Sequence, residues 1–181
     1  MSVNPKVFQI SAFLLQYPDE DWRVALDFVR DELADLGEQT ETILRPIIDD
    51  LRNRELESLQ KHYVNTFDFG KKTNLYVTYA LHGEQRERGS ALLELKQIYK
   101  KAGWHMADEE LPDYLPLMLE FASISTDGIG LLSRYKENLK VISDELGKAK
   151  SLYQNILNFI IMNVDLTEEQ QPLAEGVGRH A

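Results

Sequence analysis

The side chains able to do chemistry are few and are not spaced for catalysis. The chain carries four histidines and no cysteine. Thiolate zinc sites, iron–sulfur ligation, disulfide frameworks and cysteine nucleophiles are therefore excluded. His105 and Glu109 stand four apart and could ligate a metal from one helical turn. Gly103 and the polar run Asp108–Glu110 place them in a loop instead, with no second histidine nearby. His62 and His82 show no pattern of ligands or general bases. The chain has no G-x-S-x-G elbow, no phosphate loop, no H-E-x-x-H and no calcium loop, and Gly83 and Gly89 do not complete G-x-G-x-x-G. Neighbouring carboxylates abound, but in so acidic a chain they read as a solvated face. No catalytic residue, metal or cofactor is expected, and the chain is read as not an enzyme.

What stands out is a binding surface. From Tyr63 to Phe121 aromatic, charged and helix-breaking residues are concentrated beyond what core packing requires. Arg86 and Arg88 precede a predicted helix, where the helix dipole disfavours cations. Two pairings would offset that cost: internal ones with Asp68, Glu84 or Asp113, or one with a carboxylate from a partner. In Leu111-Pro112-Asp113-Tyr114-Leu115-Pro116 the prolines bias the preceding residues away from helix. Asp113 would cap the following helix, and Pro116 would fall in its first turn. The segment reads as a rigid start to a helix that could hold Tyr114 at the mouth of a groove.

The elements that must position these residues are helical. Val7, Ile10 and Leu14 mark one face. Trp22, Leu26, Val29, Leu33 and Leu36 form a stripe behind Pro18 and Asp19, with Gly37 as its stop. A third helix begins near Thr40, with Ile43, Ile47 and Leu51 inward and Pro46 either kinking it or marking its first turn. A fourth runs from Glu55 to Phe67. Residues 74–81 fit a short helix or an extended piece. Glu87–Ala102 is a helix with Leu92, Leu95, Tyr99 and Ala102 inward, and Leu111–Ser125 follows. Leu132, Tyr135, Leu139, Ile142 and Leu146 make another stripe, and Leu152, Ile156, Phe159 and Ile160 a last one. No hairpin signal or long period-two alternation appears. The expected fold class is all-α, a single-domain helical bundle over residues 1–166 with a flexible tail, 167–181.

Composition bounds the partners. Twenty basic and thirty acidic residues give a formal charge of −10. That surface repels phosphate backbones and anionic lipid, favours solubility, and would attract a basic peptide. No secretory signal is evident at the start, and the most apolar window, Ile156–Val164, is far shorter than the roughly 20 residues a bilayer needs. A cytoplasmic protein that binds no nucleic acid and has no stable membrane association is expected.

Several uncommon words carry a resemblance. They are Tyr17-Pro18-Asp19-Glu20, Thr66-Phe67-Asp68, Leu75-Tyr76-Val77-Thr78-Tyr79, Gly83-Glu84-Gln85-Arg86-Glu87-Arg88-Gly89, Glu110-Leu111-Pro112-Asp113-Tyr114-Leu115-Pro116-Leu117 and Leu119-Glu120-Phe121. In order and spacing they resemble the NarJ family of nitrate reductase assembly chaperones, within the all-helical redox-enzyme maturation chaperones of TorD and DmsD type. TorD-like relatives typically carry Glu-x-Pro-Asp-His where this chain ends in Tyr114, which is similar to the NarJ branch. Members often show Gly-Asp where this chain has Gly83-Glu84, and some carry a longer acidic tail.

The resemblance implies a chaperone that binds the N-terminal region of the apo catalytic subunit of nitrate reductase. It would hold that subunit for molybdenum cofactor insertion before membrane attachment. Exchange of elements between protomers in this group leaves a homodimer open. The client-binding residues expected are Tyr76, Tyr79, Glu84, Arg86, Arg88, Pro112, Asp113, Tyr114, Leu115 and Glu120. Tyr76, Tyr79 and Leu115 would line a groove for an amphipathic, partly basic segment, with Glu84, Asp113 and Glu120 meeting its cations. Arg86 and Arg88 would order the groove or meet a client acid. Tyr79→Ala or Asp113→Ala would then weaken binding and leave stability nearly unchanged. The alternatives are a chaperone for another molybdoenzyme, a helical adaptor without chaperone activity, and a small enzyme using Arg86, Arg88, Asp68 and Asp113 on an anionic substrate.

Overall fold

A computed structural model describes residues 3–83, 85–106 and 109–170. Helix α1 (Lys6–Leu14) is apolar almost all round and accordingly buried, with Val7, Phe8, Ile10, Ala12 and Leu14 in the core. Asp19 caps α2 (Glu20–Glu32), its carboxylate accepting from the Trp22 amide at 2.8 Å. A 3-10 turn over Leu33–Leu36 ends at Gly37, whose φ of +95° lets the chain turn into α3 (Glu38–Asn53). Pro46 sits inside α3 without ending it. The inner row of α3 is Leu44, Ile48 and Leu51, one residue on from the expected Ile43 and Ile47, which are half-buried. Adjacent apolar pairs offer two candidate rows, and packing against α2 and α10 selects one.

Helix α4 (Leu56–Tyr63) widens into a π turn over Val64–Asp68. Residues 74–81 take both forms that their sequence allows. Tyr76 pairs with Tyr114 in an isolated antiparallel bridge, and Tyr79–His82 is a short helix, α5. Helix α6 (Arg86–Lys101) buries Leu95 and Tyr99, whereas Leu92 is half-buried and Ala102, beyond the last helical residue, is exposed. Helix α7 (Leu115–Ile124) starts four residues later than expected, because the proline-biased stretch before it is spent on the bridge. The stripe from Leu132 to Leu146 is buried throughout, but its backbone breaks at Tyr135 between α8 (Thr126–Arg134) and α9 (Lys136–Lys148). Helix α10 (Gln154–Gln170) runs four residues past the boundary placed at 166, and residues 171–181 lie outside the described part.

Buried residues from Val7 to Val164 form one core, so the all-α bundle expected from periodicity is what folds. Helix α7 packs between α1 and α8, and α10 touches α1, α3, α8 and α9. Gly128 permits the tight α7–α8 contact: a Cβ there would lie 2.5 Å from the Ala122 nitrogen. His62 is held in the fold, its Nε2 3.0 Å from Ser151 Oγ and its ring stacked on Tyr153. Burial, assisted by the Arg54 charge, lowers its pKa. Among the described residues no group of His, Asp and Glu could hold a metal ion, and no helix is long and apolar enough to cross a membrane.

Candidate functional site

The uncommon sequence words converge on one junction. The Leu75–Thr78 segment lies against Asp113–Leu115 through Val77 N–H donating to the Asp113 carbonyl (2.9 Å) and Leu115 N–H to the Leu75 carbonyl (2.8 Å). Asn138 on α9 donates to the Val77 carbonyl at 2.9 Å, and Tyr99 on α6 to the Pro112 carbonyl at 2.7 Å. Four chain segments are thereby tied at one point.

At its centre lies Asp113, with no exposed surface. It does not cap α7, whose N-cap, Tyr114, makes no side-chain bond. Its Oδ2 accepts from the Thr78 amide (3.2 Å), Thr78 Oγ1 (2.6 Å) and Arg88 Nη2 (3.3 Å), while Arg88 Nε donates to Thr78 Oγ1 at 3.2 Å. Its Oδ1 is buried without a hydrogen-bond partner among the described residues. Local sequence rules point to a cap because Arg88, the partner that holds the carboxylate here, comes from 25 residues away. The Arg88 guanidinium lies 5.5 Å from the Tyr79 ring centre and 5.9 Å from that of Tyr76. Of the two pairings open to Arg88, the internal one is made. Tyr76 in turn donates to Glu110 Oε1 at 3.1 Å and sits 5.6 Å from the Tyr114 ring. Burial, with the adjoining Glu110 charge, pushes the Tyr76 hydroxyl up to about 12.

The structure thus brings together Tyr76, Tyr79, Arg88, Pro112, Asp113 and Tyr114. Of these, Pro112 and Asp113 are buried, and so is Leu115, which belongs to the core rather than to a groove wall. They hold the junction's shape and present no surface to a visitor. Tyr76, Tyr79 and Tyr114 are half-buried. Arg86 is exposed and has no ion-pair partner among the described residues; Glu84 lies outside them. Glu120 is an exposed residue on α7, yet desolvation by neighbouring walls raises its pKa.

Beside the junction the surface is concave at two adjoining places. One depression, of about 290 Å³, is lined by Tyr99, Trp104, Met106 and Glu110 with Lys96 and Lys100. The other, of about 370 Å³, is lined by Phe13, Trp104, Glu120 and Ile124 with Gln9 and Gln16. Trp104 borders both, its ring resting on Phe121 and Tyr99 with centroids 5.1 Å away. Sequence reasoning found Glu120 but missed Phe13, Trp104 and Ile124, which meet only after folding. The one sequence signal was Trp104 directly after the helix-ending Gly103.

The sequence profile of a family described as the nitrate reductase delta subunit matches residues 32–158. The chain belongs to that family. Every uncommon word quoted above, except Tyr17–Glu20, falls inside the match. Over 157 residues the chain is 41% identical to a Bacillus subtilis protein assigned as the nitrate reductase molybdenum cofactor assembly chaperone NarJ, covering 85% of each. It is 27% identical over 173 residues to NarJ of Escherichia coli, the nitrate reductase molybdenum cofactor assembly chaperone, covering 93% of this chain and 73% of that one. A crystal structure of a candidate redox enzyme maturation protein from Archaeoglobus fulgidus superposes with a TM-score of 0.67 at 20% identity, over 91% of this chain and 95% of that one. That last likeness establishes the fold of this family member as one already seen in a natural protein.

Proposed function

We propose that this chain is a system-specific chaperone that binds the apo catalytic subunit of a respiratory nitrate reductase, at its N-terminal segment, in the cytoplasm. It holds the subunit competent for molybdenum cofactor insertion and releases it before membrane attachment. The observation that carries this reading is the family match together with 41% identity, over 85% of each chain, to a relative assigned as such a chaperone. The geometry is consistent with binding. The buried polar cluster Asp113–Thr78–Arg88 holds backbone together, while the adjoining surface is concave and sets Phe13, Trp104, Met106 and Ile124 among polar and charged side chains. A formal charge of −10 favours encounter with a cationic segment.

Calorimetry with an N-terminal peptide of the cognate catalytic subunit tests this. Micromolar or tighter binding is expected, weakening several-fold between low and physiological salt, because exposed charges separated by more than about 8–10 Å are screened. Absence of binding to any part of that subunit would remove the assignment.

A further inference from the structure

The two depressions that share Trp104 carry opposite charge. The first is bordered by Lys96 and Lys100, both exposed and neither with an ion-pair partner among the described residues. Its one acid, Glu110, already accepts from the Tyr76 hydroxyl and the Leu111 amide. The second has Glu120 as its only charged wall, a carboxylate without a cation among the described residues and partly stripped of water. Exposed apolar side chains extend the lane at each end. Ile124, 69% exposed, borders the second depression, and Leu93, 65% exposed, lies one turn before Lys96 on the same stripe of α6.

We infer that these depressions form a single polar-ended trench for one helical segment of the client, with a cationic side chain over Glu120 and an acidic one facing Lys96 and Lys100. The inference rests on the chaperone reading above and adds to it a place and an orientation. The chemistry selects the occupant. Two adjoining hollows, one walled by Trp104 and Met106 and the other by Trp104, Phe13 and Ile124, each offer apolar surface to a large side chain of an amphipathic helix, and their polar walls suit its polar edges. A small polar metabolite would leave Phe13, Trp104 and Ile124 uncovered. A nucleic acid would be turned away by the acidic surface and would use Lys96 and Lys100 without the hollows. Opposite charges at the two ends penalise the reversed helix, because like charges would then face each other at both ends.

The full chain carrying Trp22→Phe keeps Trp104 as its sole tryptophan reporter. Titration with an N-terminal peptide of the cognate catalytic subunit is expected to change Trp104 fluorescence with the same midpoint as calorimetry. Ile124→Glu is expected to weaken binding at least tenfold with an unchanged melting temperature, since the side chain is already mostly in solvent. Glu120→Lys is expected to weaken binding about tenfold. The double change Lys96→Glu with Lys100→Glu is expected to weaken it comparably.

The failures are distinguishable. Peptide binding that ignores Ile124→Glu and leaves Trp104 silent overturns the trench while the chaperone reading stands. Binding strengthened by the Lys96/Lys100 reversal overturns the orientation, showing an occupant that is basic throughout. Failure of the unaltered chain to bind the N-terminal peptide while binding another part of that subunit overturns the trench alone, and failure to bind any part of it overturns the chaperone reading as well.

Discussion

Replacing Asp113 by alanine is expected to lower folding stability by about 3 kcal/mol, within the range for breaking a buried ion pair. The carboxylate is wholly buried, and three donors converge on its Oδ2. Alanine would strand the Thr78 amide and hydroxyl and leave Arg88 inside the junction without its counter-charge. The Arg88 side chain retains 18% exposure, so some water can reach it and the loss stays at the lower end of that range. Denaturant unfolding measures this directly. A loss under about 1 kcal/mol, the size of one ordinary hydrogen bond, would show that the pair is incidental. This outcome reverses the expectation drawn from sequence, in which Asp113 faced a client and its removal spared stability. Tyr79, half-buried and in contact with the Arg88 guanidinium, remains the better probe of binding on that side.

Phe121→Ala should cost about 3–5 kcal/mol, the usual range for emptying a buried aromatic site. The ring is 1% exposed and lies 5.0 Å from Tyr99 and 5.1 Å from Trp104, so these three aromatics pack as a unit beneath the trench. Losing Phe121 leaves a cavity and removes one of the two rings on which Trp104, the wall common to both depressions, rests. Client affinity should therefore fall along with stability, whereas Ile124→Glu lowers affinity alone. Unfolding and calorimetry on the same two variants separate the effects. A Phe121→Ala protein of near-native stability would mean that the neighbours collapse into the space.

The sequence and the fold agree where the physics is local. The three-and-four spacing of Trp22, Leu26, Val29, Leu33 and Leu36 places Trp22, Leu26 and Leu33 in the core, with Val29 and Leu36 half-buried against it. That of Leu132 through Leu146 places residues buried throughout, because amphipathic periodicity survives whatever the helix packs against. It did not reveal the break at Tyr135, since both helices present the same face to the core. It misplaced the inner row of α3, where Ile43-Leu44 and Ile47-Ile48 offer adjacent alternatives. Asp113 shows the deeper limit. An aspartate between two prolines before a helix is a cap by every local rule, and only the distant Thr78 and Arg88 convert it into a buried anchor. The trench was illegible for the same reason: Phe13, Trp104 and Ile124 come from three separate stretches. Its rim residue Glu120 was found only because it lies within an uncommon word.

Assembly of a cofactor-containing enzyme is read out by the molybdenum content of that enzyme. Nitrate reductase catalytic subunit purified from cells lacking this chain should be present at near-normal level yet contain little molybdenum, and supplying the chain in trans should restore it. Full molybdenum content in the absence of the chain would exclude a role for it in cofactor insertion.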